Sequence, residues 1–180
     1  MKKTIVVILI LVLSSSSVFS QTAKIQSVYT NLSGDNCYMV SNDLETGSTI
    51  QQCPGINGYS LFVLDDDNRV SITLISPDHK EYPLNFWTVI TKSFSVIGEN
   101  AEWRVLKTYE NSSPIALIIR VDADIQEDLE SPRKESYLAI ARISADKVCV
   151  IAKILYSEKA KEIARLIADN LVFNDCLGEF

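Results

Sequence analysis

The chain carries a single histidine, His79, in 180 residues. A Ser-His-Asp or Cys-His apparatus needs an imidazole base beside its nucleophile. A His-Glu-x-x-His zinc helix needs two histidines. His79 itself sits in Pro77-Asp78-His79-Lys80, a composition that reads as an exposed turn. The glycines are also few. Gly34, Gly47, Gly55, Gly58, Gly98 and Gly178 never fall at the spacing of a phosphate-cradling loop. No Cys-x-x-Cys pair occurs, so a structural zinc site would lack its usual close ligand pairs. Neither a metal nor a cofactor is expected. Basic side chains are the minority, 17 against 23 acidic, and nucleic acid demands a basic footprint. The longest apolar run, Ile5 to Leu13, is about half of the roughly 20 residues that a bilayer span takes.

That short run has a meaning of its own. Met1-Lys2-Lys3 precedes it, and Ser14 to Ser17 and Val18-Phe19-Ser20 follow. A basic start, an apolar middle and small residues before a cut describe a secretory leader over 1–20. The expected product is one exported domain, 21–180, periplasmic or secreted, with no stable membrane span after cleavage. Without Lys2 and Lys3 the balance is 15 basic against 23 acidic, a charge near −8. Such a surface aids solubility, and a basic protein or a small ligand remains an acceptable partner.

Export makes the four cysteines legible. An even number in an exported chain argues for disulfides. Cys37, Cys53, Cys149 and Cys176 allow three pairings. The sequential one, Cys37–Cys53 and Cys149–Cys176, is favoured because each bridge closes a short loop.

Most of the body reads as strands. Arg69 to Leu74 alternates polar and apolar residues, and Tyr59 to Leu64 is apolar and partly aromatic. Asp65-Asp66-Asp67-Asn68 between them is turn chemistry, so 58–76 is expected to be a β-hairpin. Further strands are expected at 23–30, 36–41, 84–91, 101–108, 114–122, 136–144 and 147–153. Ile115 to Val121 and Tyr137 to Ile143 are apolar on both faces, as in strands covered on both sides. Ala160, Ile163, Ala164, Ile167, Ala168 and Leu171 recur at helical spacing. Ser157 is the expected N-cap, and Glu158, Glu162, Arg165 and Asp169 are expected on the far side. The fold class is therefore α+β: a mainly antiparallel sheet or sandwich, one C-terminal amphipathic helix on a sheet face, and two disulfides.

The chemistry-bearing candidates are few. Carboxylates such as Glu99, Glu102, Asp122 and Asp124 offer the two acids that glycoside hydrolysis needs. The runs Asp65–Asn68 and Asp122–Glu130 supply oxygens, yet match no calcium loop. Arg104, Arg120 and Arg142 each lie inside an apolar strand. With Trp103 pointing to the core, Glu102 and Arg104 share the opposite face. A buried guanidinium needs a partner, and Glu102 or Asp122 are the expected ones. The sharper alternative is a binding patch of Arg104, Arg120 and Arg142 with Trp87, Trp103 or Tyr137 alongside, since arginine and aromatic residues concentrate at hot spots.

Ser33-Gly34-Asp35-Asn36-Cys37-Tyr38 resembles the Ser-Gly…Tyr loop of small periplasmic lysozyme inhibitors. Those are exported, compact and β-rich. The resemblance covers six residues and implies an acidic protein meeting a basic enzyme. The reading from the residues themselves is a non-catalytic exported module that binds a protein or small ligand. The alternatives are a small carboxylate-dependent hydrolase of envelope polymers and a lysozyme-inhibitor-like protein.

Overall fold

The computed structural model describes residues 23–126, 133–172 and 175–178. The expected leader 1–20 and the acidic stretch 127–132 lie outside the described residues. The strands are β1 (Lys24–Asn31), β2 (Tyr38–Asn42), β3 (Thr49–Pro54), β4 (Ser60–Asp66), β5 (Arg69–Ile75), β6 (Glu81–Pro83), β7 (Phe94–Lys107), β8 (Ser112–Ile125), β9 (Arg133–Ile143) and β10 (Val148–Leu155). The helices are α1 (Phe86–Val89) and α2 (Ala160–Asp169).

Strand order is β10-β9-β8-β7-β5-β4-β3-β2, with β1 beside β7 and β6 beside β5. Every pairing is antiparallel except the join of β5 to β7, where only Arg69 and Ser95 stand opposite one another. The sheet doubles over at that single rung. One half, β1-β7-β8-β9-β10, lays Trp103, Leu117, Ile119 and Val121 against Leu61, Ile72 and Leu74 of the other half. The period of two in β8 explains its apolar run. Leu117, Ile119 and Val121 enter that core, while Ala116 and Ile118 face the other way, toward α2.

Three buried alanines, Ala160, Ala164 and Ala168, put α2 on Ala116, Ile118, Leu138, Ile140 and Ile151. The contact line is narrower than the sequence stripe predicts. Ile163 is 43% exposed and Leu171 60%, because small side chains at every fourth position let the helix sit close along one line only. Arg165 and Asp169, expected on the outer side, instead flank this line and bond to the sheet. The residue before the first turn is Lys159, with no side-chain cap. Ser157 contributes only its carbonyl, which accepts from Ala160 N at 3.1 Å.

The hairpin at 58–76 is present as β4-β5. Asp67 and Asn68 have φ of 52° and 57°, the left-handed pair that a two-residue type I′ loop requires. The stretch 84–91 is not a strand. Pro83 ends β6, and Asn85 takes φ 51°. The following turn is helical, so Phe86 and Ile90 fall on one side and are buried. β3 is an unexpected strand; its polar Gln51-Gln52 hides it in the sequence. Both disulfides follow the sequential pairing. Cys37–Cys53 ties the start of β2 to β3, and Cys149–Cys176 ties β10 to the segment after α2. No helix among the described residues is long and apolar enough to cross a membrane.

Candidate functional site

The strand expected at 101–108 is the second part of a longer one, and Gly98-Glu99-Asn100 lies inside the continuous strand β7. Ile97 pairs with Val121 and Ala101 with Ile119. Three residues of β7 therefore oppose Arg120 alone, an enlarged β-bulge of the kind found beside functional sites. Gly98 makes the approach possible: a Cβ placed there would stand 3.1 Å from the Arg120 Cβ. The outer side is pinned by β1, whose neighbour Leu32 donates its N–H to the Glu99 carbonyl at 2.7 Å.

The bulge opens a cleft of about 640 Å³ on the helix side of the sheet. Ile118 and Leu138, each 4% exposed, close its floor, and Ile97 borders it while packing against the core on the other face of the sheet. Tyr29 and Tyr156 add rings, the bulge adds Glu99 and Asn100, and α2 adds Lys161 from its first turn. Glu102, Arg120 and Asp122 complete the lining. Three of the four carboxylates singled out in the sequence thus share one cleft, and Asp124 does not line it.

Most of these charges are already committed. Glu102 accepts from Arg165 Nε at 2.6 Å, Arg165 Nη2 at 3.2 Å and Ser27 Oγ at 2.5 Å. Arg104 lies 3.6 Å from the same carboxylate. Burial pushes the Glu102 carboxyl up, but the hydrogen bonds from Arg165 and Ser27 and the two guanidinium charges outweigh it and hold the group below its ordinary value. The Glu102 hydrogen bond raises Arg165 in turn, against a smaller opposing effect of burial. Asp122 accepts from Arg120 Nε at 2.8 Å and from the Ser136 hydroxyl. The Arg120 guanidinium also lies 4.8 Å from the centre of the Tyr156 ring. Glu99 and Lys161 are exposed and make no side-chain hydrogen bond or ion pair among the described residues.

A stability consequence follows from Glu102. Its folded pKa lies below the ordinary 4.5, so its contribution is complete above that value and declines as pH falls through the folded value. Glu102→Gln should cost about 2 kcal/mol at pH 7, by leaving Arg165 without its carboxylate and Arg104 with Asp169 alone. Urea midpoints at pH 7 and pH 3 should show the gap between parent and variant shrinking in acid.

No family model, curated protein or solved structure matches this chain. The site is therefore read from its own chemistry.

The three strand arginines share a face. Arg104 and Arg142 both oppose Ala116 across the sheet, and Arg120 lies four residues further along β8. They do not converge on one spot. Arg104 grips Asp169 with two bonds, 2.7 and 2.6 Å. Arg142 donates to the carbonyls of Ala168 at 2.9 Å, Ile167 at 3.3 Å and Asn170, closing the end of α2. Burial lowers the Arg142 pKa and the charge of Asp169 opposes that. Only Arg120 lines the cleft. Trp103 is fully buried in the other face, and Tyr137 joins the same core. Trp87 sits on α1, half-buried, with Nε1 donating to the Arg69 carbonyl at 2.7 Å. The Ser33–Tyr38 segment forms a 3-10 turn and the start of β2, with Cys37 in its disulfide. His79 lies in the exposed turn after β5, bonded through its N–H to the Ser76 carbonyl. Among the described residues, no group of three or more His, Cys, Asp or Glu is placed to hold a metal ion.

Sequence reasoning missed Tyr29, Gly98, Asn100, Tyr156 and Lys161. One signal was present: a Gly-Glu-Asn interruption between the strand-like stretches 94–97 and 101–106 is compatible with a bulge as well as a turn.

Proposed function

We propose that this is an exported, non-catalytic binding module whose cleft at the β7 bulge takes a small polar-and-apolar ligand. The observation that carries the reading is the cleft itself: a concave space of about 640 Å³ with the rings of Tyr29 and Tyr156 and several charged and polar side chains set around a small apolar floor. Ligand sites are commonly concave and apolar with a few placed polar groups, and this volume falls in their usual range. The leader-like composition of residues 1–20 and the two disulfides support export to the periplasm or beyond.

The hydrolase reading draws on Glu99, Glu102 and Asp122 in one cleft. It is the weaker of the two. A general acid needs a raised pKa, whereas Glu102 is held low and Asp122 is bonded to Arg120.

The test is a two-dimensional NMR screen of the oxidised protein against a panel of metabolites and fragments. Shifts are expected to cluster at Ile97, Ile118, Leu138 and Tyr156. Asn100→Trp, which narrows the mouth, should weaken binding at least tenfold. Ligands that shift only residues remote from the cleft would overturn the proposal.

A further inference from the structure

The net charge of the chain is concentrated in one stretch. Residues 25–68 contain no lysine, arginine or histidine, and they carry six acids, Asp35, Asp43, Glu45, Asp65, Asp66 and Asp67. The other 17 acids are matched in number by the 17 lysines and arginines, so the whole excess of −6 belongs to this stretch. It builds most of β1 and all of β2, β3 and β4. β2 ends the strand order, and no strand among the described residues lies along its outer edge. Every residue of β2 is exposed, and three in a row are apolar: Tyr38 at 61%, Met39 at 51% and Val40 at 50%. Edge strands are commonly guarded against other chains by lysine, by proline or by a bulge. β2 holds no lysine and no proline, and its one irregularity leaves Val40 without a partner on β3. Its other guard is charge of a single sign, with Asp35 before the strand and Asp43 and Glu45 after it. That guard discriminates. A second copy paired with β2 about Val40 sets Glu45 beside Asp35 if antiparallel and each acid beside its own counterpart if parallel. A basic chain meets attraction at both ends of the same edge.

We propose that β2 is a docking edge for an extended segment of a basic partner protein, which adds to the sheet as one more strand. This surface is separate from the cleft at β7. The backbone of the added segment takes up the open N–H and C=O groups of β2, and its apolar side chains cover Met39 and Val40. Lysine or arginine at its ends faces Asp35, Asp43 and Glu45. The edge is set before any partner arrives. The Cys37–Cys53 bridge fixes the start of β2 to β3, and the Tyr38 hydroxyl donates to Gln52 on the same neighbour. Little ordering is then left to oppose association.

The experiment is a two-dimensional NMR titration of the oxidised protein with capped peptides. The probes are Lys-Lys-Thr-Val-Thr-Val-Lys-Lys, the same sequence with glutamate for lysine, and the lysine peptide with proline for both valines. The lysine peptide is expected to shift the amides of β2. The glutamate peptide should bind about tenfold more weakly because its charges oppose the acids at both ends. The proline peptide should lose about as much, since it cannot donate to a ladder. Val40→Lys, which puts a positive charge on the edge, and Asp35→Asn with Glu45→Gln should each weaken the lysine peptide by about fivefold. These positions are exposed, so an unchanged melting midpoint will show that the variants fold. Equal affinity for the lysine and glutamate peptides would refute the basic partner. Equal affinity for the proline peptide would reduce the contact to bare charge attraction and refute strand addition. A lysine peptide that shifts only residues outside 35–45, or shifts nothing, overturns the proposal. So does a dimer seen in sedimentation that Val40→Lys dissolves, because the edge then belongs to a second copy.

Discussion

Trp103→Ala should lower the unfolding free energy by about 4 kcal/mol, within the range for emptying a buried aromatic site. Trp103 is on β7 and has no exposed surface. Its ring is where the two halves of the doubled sheet close. Tyr59 reaches it from the β3–β4 connection, with ring centres 6.2 Å apart at a tilt of 50°. Gly55 comes so near that a Cβ there would lie 3.1 Å from the Trp103 ring and 2.5 Å from the Tyr59 carbonyl oxygen. The indole N–H is also satisfied, donating to Thr30 Oγ1 at 2.9 Å. Alanine therefore removes a large apolar volume from a site whose walls belong to both halves, and strands the Thr30 hydroxyl. Urea unfolding, followed by Trp87 fluorescence and far-ultraviolet circular dichroism, measures the loss. Trp103→Phe should recover more than half of it. A loss below about 1 kcal/mol would mean that the two halves do not depend on this contact, since deletions of this size cost several times more when the walls cannot collapse.

The double substitution Cys149→Ser with Cys176→Ser should cost about 3.5 kcal/mol in the chain-entropy treatment of a crosslink. The spacing is 27 residues, against 16 for Cys37 and Cys53, for which the same treatment gives about 3 kcal/mol. The larger figure has a structural target. The Cys149–Cys176 bridge holds the segment after α2 on β10, beside the Leu177 N–H to Val150 carbonyl bond of 2.8 Å. Three other fasteners remain when it is gone, Arg142 on the helix-end carbonyls, Arg104 on Asp169 and Arg165 on Glu102. Hydrogen exchange should thus show α2 amides exchanging faster while β8 and β9 stay protected. Equal loosening of all three would indicate that the bridge supports the whole sheet rather than its last helix.

The sequence carries the architecture better than the site, for a physical reason. Alternation and helical spacing are local, so the β4-β5 hairpin, the two-faced strands β8 and β9 and the helix after Ser157 all read directly. The cysteine pairing reads too, because short loops close most easily. Failures occur where tertiary geometry overrides a local pattern. The 84–91 stretch has strand-like composition, yet Asn85 turns the chain and Trp87 bonds to Arg69. Glu99, Glu102 and Asp122 were visible as acids, but nothing local reveals that a three-against-one mismatch in β7 brings them to one cleft. Arg165 and Asp169 look like outer-face residues on a helical wheel. Their partners, Glu102 and Arg104, lie more than sixty positions earlier.

The pairing of β1 with β7 sets the order in which this molecule can complete itself. Lys24 meets Lys107 and Asn31 meets Asn100, so the earliest strand must wait for chain some seventy to eighty positions downstream. Until then Val28 and its neighbours stay wet, and one border of β7 offers its amides to any passing extended chain. That border closes once β1 reaches it, so a single strand pairing fastens two stretches of chain far apart in sequence.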